Sequence, residues 1–261
     1  MRWRKSYVDG TFGDKTVILT TGVIDRPERV VLLFHGVHSN ANSEPGNKYA
    51  RIGLALAECG LLPVLTETSR RVRNRSDYQD NPGGWIKDAF AGKTFDNELH
   101  DCANALFAVQ KQYPALPITL WGFSLGGINA LLIASGYVKE VSPSHVDSLI
   151  MCGSGDAVFP ENKDMFKLPI LSTMTGSLDD LTRAASKLNL KWARVFRGTQ
   201  DTTFPEDACR HLFSSMSVED KQYYDIKDSD HSFRFLNGQP SMKPLWEVYR
   251  RLPQLFPEGT F

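Results

Sequence analysis

The chain has 261 residues, enough for one large α/β domain with a full hydrophobic core. Its 30 Lys and Arg balance its 30 Asp and Glu, so no global field favours nucleic acid, an anionic membrane or a polyanionic partner. Any binding specificity has to come from a local site.

Taken in chain order, the basic start Met1-Arg2-Trp3-Arg4-Lys5 leads into no continuous apolar segment, so no secretory signal is visible and a cytoplasmic location is expected. A secreted chain already cut would look the same. Runs rich in β-branched and aliphatic residues predict strands at 15–21 and 29–35, and helical spacing follows at 48–59. After a strand at 61–66, residues 70–95 carry Arg70, Arg71, Arg73 and Arg75 and then Asn81-Pro82-Gly83-Gly84. This stretch reads as an excursion loop. Its arginines would be solvated or would meet an anionic substrate.

A helix at 96–113 is ended by Pro114 and Pro117, and a strand at 118–123 passes into a helix at 125–137. A strand at 145–152 is separated from the next, at 191–197, by more chain than a simple crossover needs. The segment 154–189 therefore reads as a small inserted helical cap, with Phe159, Met165, Phe166, Leu168, Ile170 and Met174 among its charges. A helix at 205–216, opened by Pro205, a strand at 222–226 and a helix at 242–255 complete the pattern. The whole, 1–261, is expected to be one domain: a mostly parallel sheet flanked by helices. The apolar runs stay far below the roughly 18 residues of a membrane helix, so no span is expected. Cys59, Cys102, Cys152 and Cys209 are scattered without metal-ligand spacing and read as structural thiols; no metal is expected.

The chemistry-bearing motif is Gly122-Phe123-Ser124-Leu125-Gly126, which ends an apolar strand and opens a helix. A bare G-x-S-x-G arises by chance in roughly one chain in ten of this length; the strand before it and the helix after it make it specific. A nucleophile on so sharp a turn leaves no room for side chains two residues away on either side, and Gly122 and Gly126 meet that demand. The helix behind it directs free N–H groups at a developing oxyanion.

A serine hydroxyl needs a base. Of six histidines, His231 stands in the polar loop Asp228-Ser229-Asp230-His231-Ser232 between the last strand and the final helix, whereas His211 and His145 fall in regular elements. The orienting carboxylate is expected on a loop after an earlier strand. Asp201, in Gly198-Thr199-Gln200-Asp201, fits this position, and Asp156, in Gly153-Ser154-Gly155-Asp156, competes with it.

The order Ser124, Asp201, His231, each on a loop after a strand, resembles the α/β-hydrolase superfamily across about 29–256. The resemblance implies the α/β-hydrolase fold and, through Leu33-Phe34-His35-Gly36-Val37-His38, an oxyanion hole made by the backbone N–H groups of Val37 and Leu125. His35 and Gly36 would then be structural. The single His-Gly form is similar to that of carboxylesterases and monoacylglycerol-lipase-like enzymes, and a serine at position 124, where dehalogenases and epoxide hydrolases of this fold carry aspartate, disfavours their chemistry. The implied activity is hydrolysis of a small-molecule carboxylic ester through an acyl-enzyme, with no organic or metal cofactor. A thioesterase, a peptidase, a C–C hydrolase or a silent binding protein on the same fold would share these features. Phe123, Trp85, Phe90 and the Met and Phe residues of the cap would suit an apolar acyl or aryl group.

Overall fold

The computed structural model describes residues 1–37, 40–79, 81–161, 168–174, 178–258 and 260. Where the sequence has its longest apolar runs, the structure has the middle of a sheet. β3 (Val30–Phe34) and β5 (Ile118–Phe123) are buried at every position. The strand period of two divides their residues between two cores: Val30, Leu32 and Phe34 belong to one, Val31 and Leu33 to the other.

The remaining strands are β1 (Trp3–Asp9), β2 (Thr16–Gly22), β4 (Leu62–Glu67), β6 (Val146–Cys152), β7 (Trp192–Gln200), β8 (Asp220–Asp230), β9 (Phe235–Leu236) and β10 (Gln239–Pro240). The sheet is open, in the order β1-β2-β4-β3-β5-β6-β7-β8-β9-β10. Pairing is parallel from β4 through β8 and antiparallel at both ends. The sheet is mixed, with the parallel centre that the sequence predicts and antiparallel strands added at both ends. β1 goes unannounced in the sequence because most of its side chains are solvated, so no apolar alternation marks it.

Helices cover both faces. α1 (Lys48–Glu58) packs Tyr49 and Ile52 on the same side as Leu245 and Val248 of the last helix, Lys243–Tyr249. On the other face lie the helices Phe95–Gln112, Leu125–Ala134 and Glu206–Ser214, through Leu99, Ile128 and Leu212. All ten residues of the helix Leu125–Ala134 are buried, as a helix apolar all round demands. Among the described residues no helix is long and apolar enough to cross a membrane.

The two stretches that break the sequence rhythm have structure of their own. Residues 70–95 hold a one-turn 3-10 helix (Arg75–Tyr78) and a helix at Pro82–Phe90, whose N-cap Asn81 accepts from the Gly84 N–H at 2.8 Å. Trp85 and Phe90 are buried in the core, with the guanidinium of Arg70 at 5.0 Å from each ring. Arg70 pairs with Glu67, and Arg73 with Asp14. In 154–189 there are helices at Pro169–Ser172 and Leu178–Ala185; Met165 and Phe166 lie outside the described residues. Leu181, Ala184 and Ala185 are buried in the main core, so this part supplies the crossover that parallel β6 and β7 require.

Candidate active site

Ser124 sits between β5 and the helix Leu125–Ala134 with φ 53° and ψ −123°, a left-handed conformation costly for any residue with a Cβ. Close packing holds it there. A Cβ on Gly122 would run into the Gly126 carbonyl, and one on Gly126 would lie 2.5 Å from the Phe34 oxygen and 2.6 Å from that of His35. The Ser124 N–H donates to the Cys152 carbonyl at 2.8 Å, and the Ser124 carbonyl accepts from Ser154 Oγ at 2.8 Å. Because the atoms that a Gly122→Ala methyl would meet are backbone, the turn cannot yield by a side-chain rotation. That substitution is expected to cost about 3 kcal/mol or more, read as a lowered Tm.

Gly36 brings the preceding loop against the serine: its Cβ position would lie 3.0 Å from Ser124 Cβ and 3.6 Å from Oγ. Among the described residues, neither the Val37 nor the Leu125 N–H meets a backbone acceptor; the latter is the first residue of its helix, where free N–H groups are expected. His35 lies beneath this loop, wholly buried. Its Nδ1 is 2.9 Å from the Gly36 carbonyl, and its Nε2 faces Thr68 and Arg70 Nη2, the latter at 3.3 Å. Burial lowers its pKa. A neutral ring with Nδ1–H donating to Gly36 fits both contacts. Glu67 ties the far side, accepting from the Ala41 N–H at 2.7 Å while pairing with Arg70.

His231 follows β8, and Asp201 lies in the turn after β7, where its N–H donates to the Gly198 carbonyl. Asp201 Oδ1 accepts from the N–H groups of Thr203 (2.7 Å) and Phe204 (3.0 Å), leaving Oδ2 for His231 Nδ1 at 2.8 Å. The carboxylate side chain is fully buried and the imidazole a quarter exposed. The imidazole packs over Gly153, at φ 60°, where a Cβ would be 3.1 Å from Nδ1. Asp156 pairs instead with Nδ1 of His211 on the helix Glu206–Ser214.

Ser124 and His231 line one cavity of about 230 Å³, together with Gly36, Val37 and Leu125. Phe123, Ile128 and Phe204 make its walls apolar, and Val158, Leu171 and Met174 enter from the 154–189 segment. Trp85, Phe90 and the arginines 70 to 75 do not line it; Trp85 and Phe90 belong to the core, Arg70 and Arg73 to ion pairs with Glu67 and Asp14, and Arg71 and Arg75 are exposed. Lys48 and Arg234 do line it. Lys48 donates to the Ser232 carbonyl at 2.9 Å, and its Nζ stands 3.6 Å from the Phe123 ring centroid. Sequence reasoning missed Lys48, Ser154 and Glu67, whose contacts join residues distant along the chain. Only Ser154, in Gly153-Ser154-Gly155 at a strand end, carried a local signal.

The arrangement brings Ser124, an imidazole held by a buried carboxylate, and Val37 and Leu125 to one small, largely apolar cavity. No protein-family model matches the chain, and no curated protein matches it in sequence. Solved structures match in shape. A soluble variant of monoglyceride lipase from Saccharomyces cerevisiae, in complex with a substrate analog, superposes with TM-score 0.73 at 13% identity, covering 99% of this chain and 96% of that one. Dienelactone hydrolase from Anabaena variabilis gives 0.64 at 13% identity over 98% and 99% of the two chains. An α/β serine hydrolase without lid from Xanthomonas campestris gives 0.59 at 14% identity over 98% and 94%. At such identities the likeness is one of fold.

Proposed function

We propose, from the premise that the chain has the α/β-hydrolase fold, that it is a serine hydrolase that cleaves carboxylic esters. One observation carries the reading: Ser124, strained at the strand-to-helix turn, lines the same cavity as an imidazole whose Nδ1 is held by a buried carboxylate. Ser124 Oγ attacks the ester carbonyl while His231 Nε2 takes its proton, and the oxyanion is held by the N–H groups of Val37 and Leu125. His231 returns the proton to the leaving alcohol, then activates water against the acyl-enzyme, and Asp201 keeps the imidazole in the productive tautomer throughout. The enzymes named in the structural matches, a monoglyceride lipase and a dienelactone hydrolase, are in keeping with this chemistry.

A panel of p-nitrophenyl esters, acyl-CoA thioesters and aminoacyl anilides tests the reaction class. Esters turned over fastest, and by the Ser124-containing protein alone, is the expected result. Thioesters or anilides preferred would move the assignment to another acyl transfer, and no turnover in any arm would favour a binding role.

Of the cap segment 154–189, Val158, Leu171 and Met174 line the cavity, while Leu181 and Ala185, in the same core cluster, do not. Shortening Met174 to Ala enlarges the cavity at that wall. The kcat/KM ratio of p-nitrophenyl octanoate to butyrate is expected to rise several-fold, with a stability loss of about 2–5 kcal/mol. An unchanged ratio would place the acyl chain elsewhere.

A further inference from the structure

The cavity beside Ser124 adjoins a second one of about 420 Å³; Lys48 and Arg234 line both, and Arg51 lines the second. Among the described residues no Asp or Glu lines either cavity. In a chain whose charges cancel overall, Lys48 and Arg234 at the Ser124 cavity and Arg51 at the adjoining one outnumber the one acid that acts on Lys48, Asp230, a local excess of positive charge.

The neighbouring acid is already engaged. Asp230 accepts from Ser232 Oγ and from the N–H groups of Arg234 (3.1 Å) and Phe235 (3.2 Å), so both its oxygens serve the turn that carries His231. Arg51 Nη1 contacts only the Met242 sulfur among the hydrogen bonds of the described residues. The Lys48 ammonium has the Ser232 carbonyl and the face of Phe123, the residue next to Ser124 in the chain. Burial, and then Arg234 nearby, pushes the Lys48 amine down to about 7 against the opposing pull of Asp230, so an added anion at this position would favour its charged form.

We infer that Lys48 and Arg234 bind a carboxylate carried by the substrate, so that the preferred esters are half-esters of short dicarboxylic acids whose free acid group reaches from the Ser124 cavity toward the second one. This deepens, and rests on, the reading of Ser124 as the nucleophile. Arg234, being exposed, can reach a carboxylate without disturbing the core, and its guanidinium offers paired donors.

The test compares mono-p-nitrophenyl glutarate with neutral p-nitrophenyl butyrate. The kcat/KM ratio, charged over neutral, is expected to fall about tenfold or more in Lys48→Met and in Arg234→Gln, and to fall in the unmodified protein as salt is raised. A ratio that is the same in all three proteins overturns the proposal. Calorimetric titration of Ser124→Ala with monomethyl glutarate reads the same site without turnover. Saturable binding, weakened about tenfold or more when Arg234→Gln is added, is the expected result. No binding overturns the anion site even if neutral esters are cleaved, whereas binding without any ester turnover upholds the anion site and overturns the nucleophile.

Discussion

Ser124→Ala and His231→Ala are each expected to lower ester turnover by about 10⁶-fold, and the double variant by hardly more. The two side chains act as one unit: without the imidazole the hydroxyl keeps its proton, and without the hydroxyl the imidazole has nothing to activate. What remains in every case is the contribution of the oxyanion donors and of binding in the cavity, which neither substitution touches. The structure makes both changes safe to interpret. Ser124 is held through its backbone N–H and carbonyl, which alanine retains. The His231 ring lies at the cavity, a quarter exposed, outside the two hydrophobic cores. Losses that add on a logarithmic scale would contradict a shared step.

The second large effect concerns the acid. In Asp201→Asn the amide oxygen can go on accepting from the Thr203 and Phe204 N–H groups, which places the NH₂ opposite His231 Nδ1. Two donors then face each other unless the imidazole moves its proton to Nε2, and a ring protonated there cannot accept the serine proton. Turnover is expected to drop about 10⁴-fold with the fold retained. Asp156→Asn removes a contact with His211, whose side chain is mostly exposed, and such pairs contribute little; its effect on turnover is expected to stay within about threefold. Kinetics of the two variants, with Tm measured alongside, decides between the acids that the sequence leaves open. If Asp156→Asn is the crippling change, the acid is one strand earlier.

How much of this was legible in the sequence follows from where each element's stabilisation comes from. β3, β5 and the helix Leu125–Ala134 are buried throughout, so their apolar runs announce them. β1 is held by pairing with β2 from Trp3↔Gly22 to Asp9↔Thr16, a backbone interaction that leaves no side-chain pattern. The helix at Pro82–Phe90 hides behind Asn81-Pro82-Gly83-Gly84, which reads as a turn although Asn81 is its cap. The β9–β10 hairpin did carry a signal: Asn237 and Gly238, both at positive φ, are the pair that tight hairpin turns favour. The same logic applies to the candidate site. Gly122 and Gly126 mark Ser124 because steric demand is local in sequence. The tether from Glu67 to Ala41, the lock of Ser154 on Ser124 and the approach of Lys48 to Ser232 span 26, 30 and 184 positions, and only the folded chain brings them together.

The central claim is that Ser124 is an activated nucleophile, and covalent capture tests it most directly. A fluorophosphonate carries the electrophile to any serine whose proton an adjacent base removes, and the product records the position. The account predicts a single adduct, located by mass spectrometry on the peptide containing Ser124, abolished in Ser124→Ala and strongly slowed in His231→Ala. An adduct on another residue, or ester turnover undiminished while Ser124 stays unmodified, would contradict it.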